Sequence, residues 1–169
     1  MQEYKESVKN LAKNSEDFTF PNKGKEHAQV VVGEIFQNVN SIKMFSGKLD
    51  YEILKDLFDT IKDFINDEDK SFFLILDEQN IKGNEIIHFL CENNIKIKIA
   101  NDNFRDEVKQ ISKNNNIYHF IIGDDKTFRI EVDTDEYKAI CNFNNKEISS
   151  RFSKIYDEYF NKLEDFKGC

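Results

Sequence analysis

Apolar positions along the chain switch between two periods, and the switches mark out its elements. Ala28, Val31, Val32, Ile35, Phe36 and Val39 recur at helical spacing and define a core-facing helix, despite its β-branched content. The run Ser41–Ser46 (SIKMFS) reads as a first strand, ended by Gly47. Asp50 stands where an N-cap belongs, and Leu54, Leu57, Phe58, Ile61, Phe64 and Ile65 make the stripe of the helix behind it. Ser71–Leu76 (SFFLIL) is apolar on both faces, which predicts a central strand covered on each side. A helix over 80–92 turns Gly83, Ile86, Ile87, Leu90 and Cys91 inward. Ile95, Ile97 and Ile99 alternate with Lys96 and Lys98, the pattern of a strand with one wet face. Phe104, Val108 and Ile111 mark a short helix over 103–113.

The stretch 116–143 then changes character. Residues 117–122 are apolar apart from His119, and Gly123, Asp124, Asp125 and Lys126 supply turn chemistry. Phe128, Ile130 and Val132 alternate with Arg129 and Glu131, and a third strand passes through Tyr137, Ala139, Cys141 and Phe143. A last helix opens with Asn144 and Glu147 at capping-box spacing and carries Ile148, Phe152, Ile155, Tyr159, Leu163 and Phe166 on one face. Before all of this, 3–14 is a polar helix with Tyr4, Val8 and Leu11 as its edge, and 15–25 is a connection containing Pro21. Helix and strand alternate, then strands cluster, then a helix closes. That order predicts an α/β fold: a mixed, mainly parallel sheet flanked by helices on both faces, with a hairpin at one side. Residues 1–24 are read as an N-terminal extension with a short helix, and 25–169 as the domain.

Composition narrows the functions. Sixteen Phe among 169 residues give enough aromatic mass for a core, while one Pro and six Gly argue against a long linker. A net charge of −8 disfavours a nucleic-acid or anionic-membrane binder, and no apolar run is long enough to span a bilayer. No signal-peptide core is evident in the first residues, and a cytoplasmic location is expected. Cys91, Cys141 and Cys169 lie far apart in sequence, so no metal site is expected; Cys91 and Cys141 read as buried thiols of a reducing compartment. Abundant Lys, Asn and Ile point to an AT-rich bacterial genome.

Motifs for chemistry are few. There is no P-loop, no GxGxxG and no GxSxG. His27 and His88 read as surface residues, and Asp77 and Glu78, which end the central strand, as loop or cap acids. His119, near the start of an apolar strand, is the candidate. Arg129 and Glu131 share one face of the next strand, as a binding pair beside His119 or as a salt bridge on a solvated face.

Around His119 the chain resembles the phospholipase D-like superfamily, whose strand carries His-x-Lys with an Asp five residues after the Lys. The resemblance runs from about residue 25 to 166 and includes EHAQVVVGEIFQNVNSIKMFSG at one end and AICNFNNKEISSRFSKIYDEYF at the other. His119 matches, but Ile121 occupies the Lys position and Lys126 the Asp position. The resemblance implies a phospholipase D-like domain whose catalytic motif is degenerate. It further implies a homodimer, because single-motif members pair two copies, and no cofactor. The function expected is a non-catalytic binding or regulatory module with a protein partner, accessory to a bacterial defence (including phage defence) or stress system. The alternative is a divergent phosphodiesterase or nuclease using His119 from each subunit of a dimer.

Overall fold

A computed structural model describes residues 1–79, 81–112 and 116–169. In chain order the elements are α1 (Gln2–Lys13), β1 (Phe20–Lys23), α2 (Lys25–Asn38), β2 (Ser41–Ser46), α3 (Tyr51–Leu54), a 3₁₀ turn (Lys55–Leu57), α4 (Phe58–Asn66), β3 (Ser71–Leu76), α5 (Glu85–Glu92), β4 (Ile97–Ile99), α6 (Asp102–Ser112), β5 (Phe120–Gly123), β6 (Thr127–Asp133), β7 (Lys138–Asn142) and α7 (Lys146–Phe160). The seven strands form one sheet in the order β1-β7-β6-β5-β2-β3-β4.

The sheet is mixed and flanked by helices on both faces, but it is mostly antiparallel, which corrects the expectation of a mainly parallel sheet. Only β2–β3 and β3–β4 pair in parallel. The pairs β2–β5, β5–β6, β6–β7 and β7–β1 are antiparallel. Connection length is the reason. A parallel pair needs a crossover, which α3–α4 and α5 provide, whereas β5, β6 and β7 are joined by turns of only a few residues. At the first of these turns Asp124 and Asp125 both take positive φ, and Lys126 N–H bonds back to Gly123 O at 3.0 Å. Two such residues in succession make the hairpin turn that matches strand twist.

Two clusters fill the layers. Helices α1 to α5 cover one face through Val8, Ala28, Val32, Ile35, Phe64 and Leu90 against Ile42, Met44, Leu74, Leu76, Ile121 and Cys141. The other face carries α6 and α7, with Phe104, Val108, Phe152 and Tyr156 against Phe45, Ile75, Phe120, Phe128 and Ile130. Leu74 to Leu76 are wholly buried and Phe73 half-buried, so β3 is the central strand that its two apolar faces predict.

Several local expectations shift. The 15–25 connection contains β1, an edge strand with Phe20 and Asn22 facing inward. The expected 80–92 helix begins at Glu85 with Asn84 as cap, leaving Gly83 outside the helix with φ of 69°; residue 80, where it was placed to start, is outside the described residues, as are 113–115. Asn145, one residue beyond the expected Asn144, caps α7 by accepting from Ile148 N–H at 3.0 Å. Cys91 is not a buried thiol: it is half-buried and disulfide-bonded to Cys169, across a sequence separation of 78 residues that concealed the pairing. Cys141 is a free buried thiol, and burial pushes its pKa up to about 12. No described helix is long and apolar enough to cross a membrane.

Candidate functional site

His119 lies just before β5, beside the C-terminal end of β2. Antiparallel pairing puts Phe120 opposite Phe45, so His119 falls next to Ser46 and Gly47. The C-terminal ends of parallel strands are where open α/β sheets place ligands. The ring is fixed from two directions. Phe45 meets it edge-on, with centroids 5.1 Å apart, and its Nδ1 faces Glu131 Oε2 at 3.4 Å. Side chains of His119 and Glu131 keep 21% and 14% exposure, so the pair sits at the mouth of the fold and not on a solvated face.

Behind Glu131 the network runs inward. Arg129 Nη1 donates to Glu131 Oε1 at 2.8 Å, and Arg129 Nε donates to Asn22 Oδ1 at 2.9 Å. Asn22, on β1, in turn donates to Gly24 O and to Tyr137 O. The guanidinium is only 5% exposed. Of the two sequence readings of Arg129 and Glu131, the solvated salt bridge is therefore corrected: α1 and α2 cover this face of the sheet, Arg129 is buried, and Glu131 is half-buried beside His119. Burial by itself would raise the Glu131 carboxyl; the hydrogen bond from His119 and the charge of Arg129 outweigh it and hold the carboxyl below its ordinary range. Among the described residues the buried Arg129 Nη2 has no hydrogen-bond partner, a cost native proteins seldom accept.

Residues that the sequence marked only as strand ends, caps or strand positions complete the surroundings. A Cβ placed on Gly47 would lie 3.0 Å from His119 Cε1 and 3.8 Å from Glu78 Oε1, so this glycine leaves room for the imidazole, and the exposed Glu78 reaches the same position. Asp50, besides accepting from Glu52 N–H as a helix cap, accepts from Tyr137 Oη at 2.9 Å. Asp77 has the quieter role expected of it, held by Arg105 Nε at 2.6 Å. Only the glycine after β2 carried any hint of this arrangement, because Glu78, Asp50 and Tyr137 reach the site through loops from three different strands.

The two departures from the His-x-Lys pattern take definite places. Ile121 is buried in the α1–α5 core on the same face of β5 as His119, and its cross-strand neighbour is Arg129. Lys126 is on the hairpin turn at the far end of β5. Lys43, also on β2, is engaged by Asp125, Ser153 and Asp157 under α7, on the opposite face of the sheet. His27 stacks on Tyr4 and accepts from Lys23 N–H, and His88 pairs with Glu92 on the surface of α5. Among the described residues no group of three or more His, Cys, Asp or Glu is placed to hold a metal ion.

No protein-family model and no curated protein sequence matches the chain. Among solved structures it is similar to Nuc from Salmonella typhimurium, a phospholipase D family member, with 16% identity and a TM-score of 0.61 over 90% of this chain and 100% of Nuc. It is also similar to TrmBL2, an archaeal chromatin protein with its own mode of DNA binding, with 14% identity and a TM-score of 0.56 over 96% of this chain and 60% of TrmBL2. At such identities the likeness is one of fold, and the fold is phospholipase D-like.

Proposed function

We propose that this phospholipase D-like fold serves as a non-catalytic binding or regulatory module, with His119, Arg129 and Glu131 as the core of its binding site. The observation that carries the reading is the use made of Arg129, the cation that the described residues place beside His119 and Glu131. Phosphoryl transfer needs a positive group free to neutralise charge on the transferred oxygens. Arg129 stands next to the family's Lys position, but its Nη1 and Nε are spent on Glu131 and Asn22 beneath the surface. The carboxylates about the imidazole are Glu131, which holds Nδ1, the exposed Glu78 beside Gly47 and, through Tyr137, Asp50. An anionic diester approaching such a mouth meets repulsion before it meets a donor. The net charge of −8 supports a protein partner over nucleic acid on the same ground. A homodimer, a cytoplasmic setting and an accessory role in bacterial defence or stress belong to this proposal; sedimentation of the purified protein tests the first.

The rival reading is a divergent phosphodiesterase or nuclease that joins His119 from two subunits. It is favoured by one feature: Glu131 holds Nδ1, which leaves Nε2 on the Gly47 side of the ring, 3.6 Å from where a Cβ there would sit. That is the orientation a nucleophilic or basic imidazole requires. Turnover decides between the two. With bis(p-nitrophenyl) phosphate and with single- and double-stranded DNA, with and without divalent metals, no cleavage above a His119→Ala control is expected. Robust cleavage abolished by His119→Ala overturns the non-catalytic reading and makes Arg129 the first candidate for the charge-neutralising group.

A further inference from the structure

The two open edges of the sheet are closed in different ways, and one closure is covalent. On β1 the outward backbone groups are consumed locally: Pro21 has no N–H, Pro21 O faces Tyr4 Oη at 3.5 Å, and Lys23 N–H donates to His27 Nδ1 at 3.4 Å. On β4 the cover is a short segment, residues 163–166, that follows α7 and lies antiparallel along the strand. Ile99 N–H donates to Glu164 O and Phe166 N–H donates to Ile97 O, both at 2.9 Å. Lys98 secures it from the side, its Nζ reaching Asp165 Oδ1 at 2.7 Å and Leu163 O at 3.2 Å. Leu163 enters the core of the α6–α7 face and Phe166 that of the opposite face, so the segment straddles the sheet's rim. The chain then doubles back over the Phe166 ring to bond Cys169 to Cys91 at the end of α5. A Cβ on Gly168 would run into Phe166 Cζ, which is why a glycine stands where the chain folds over that ring. The bond forms part of the wall of an open cavity of about 800 Å³ lined by Phe58, Ile81, Ile87 and Phe89, with Cys169 exposed.

We infer that the Cys91–Cys169 disulfide is a reversible clamp that locks the cover onto the β4 edge, and that a dithiol reductant entering from the cavity side releases it. The step balances as a thiol–disulfide exchange: the Cys91–Cys169 S–S bond breaks and takes up two electrons and two protons. The dithiol gives them up and becomes a disulfide. Once released, the segment is held to the edge by its two backbone hydrogen bonds to β4, the two contacts from Lys98 and two apolar side chains. Such a segment opens locally without the rest of the sheet. The edge it uncovers presents Ile97 O and Ile99 N–H, the two groups an incoming strand would pair with.

Hydrogen exchange read amide by amide in low urea, on the oxidised protein and on the same protein kept in dithiothreitol, tests the clamp. Oxidised, the Ile99 and Phe166 amides exchange with the urea dependence of Leu74 and Ile75 in β3. Reduced, they exchange on the order of tenfold faster than those two and lose the urea dependence, the mark of a local opening. Cys169→Ser, at an exposed position, behaves like the reduced protein with or without dithiothreitol. Alkylation of unfolded, never-reduced protein should modify Cys141 alone. Modification of all three cysteines overturns the inference, as does exchange at Ile99 and Phe166 that still follows β3 after reduction.

Discussion

Arg129→Met isolates the energetics of the buried network. The substitution keeps most of the apolar stem but removes the bonds to Glu131 and Asn22. Glu131 is then left nearly buried, and among the described residues its remaining side-chain ion pair is with His119, at 3.4 Å. Taking one partner from a buried ion pair costs about 3–5 kcal/mol. The unpaired Asn22 oxygen adds about 1 kcal/mol, and loss of the unsatisfied Nη2 returns a similar amount. The net expectation is a loss of about 3–5 kcal/mol near neutral pH, a large part of an ordinary folding margin of roughly 5–15 kcal/mol. The pH dependence fixes the cause. In the wild type the folded Glu131 carboxyl is depressed, so its contribution is complete above the ordinary carboxylate range and is lost as pH falls through the folded value. Without Arg129, burial is opposed by His119 alone and the carboxyl rises from its depressed value. The destabilisation by Arg129→Met is thus greatest at neutral pH and shrinks on acidification. Adding Glu131→Gln removes the stranded charge, and the double variant should be more stable than the summed single losses by at least about 1.5 kcal/mol. Urea midpoints at pH 7.5 and pH 5, with unchanged slopes, give all of these quantities. Additive losses, or a penalty that does not vary with pH, would refute the account of a coupled network.

Four further outcomes follow from the same structure. Gly47→Ala should leave the fold intact but displace the His119 ring, because the new methyl lies 3.0 Å from Cε1; a changed imidazole signal in NMR checks it. Gly123→Ala drives a methyl to 2.8 Å from Val39 Cγ1 and should cost about 1–3 kcal/mol by overpacking, read as a lowered urea midpoint. Burial, then the nearby N-terminal charge, lowers the His27 pKa, and the sign follows: its contribution is complete above the ordinary histidine value and falls away as pH drops through the folded one. His27→Gln should flatten stability over that window relative to the wild type, and an unchanged slope there would remove His27 as the cause. Sedimentation at micromolar concentration should give about twice the chain mass if the proposed dimer forms, and a strict monomer would end the composite-site reading.

What the sequence determined by itself was local. The strands Ser41–Ser46 and Ser71–Leu76 are where the pattern places them, because period and flanking turn residues act within a few positions. Asp50 caps its helix, and the Gly123–Lys126 turn closes its hairpin, for the same reason. His119, Arg129 and Glu131 could each be picked out, since a histidine in an apolar run and charges at alternate positions stand out in one dimension. Their joining could not. Arg129 meets Asn22 across 107 positions, Cys91 meets Cys169 across 78, and β5 slots in antiparallel against β2 instead of following β4. Whether a strand runs parallel or antiparallel, and whether a charged side chain ends in water or beneath two helices, depends on which distant surfaces bury each other. Only the packed sheet, with α1 and α2 laid over Arg129, decided that this charge is interior.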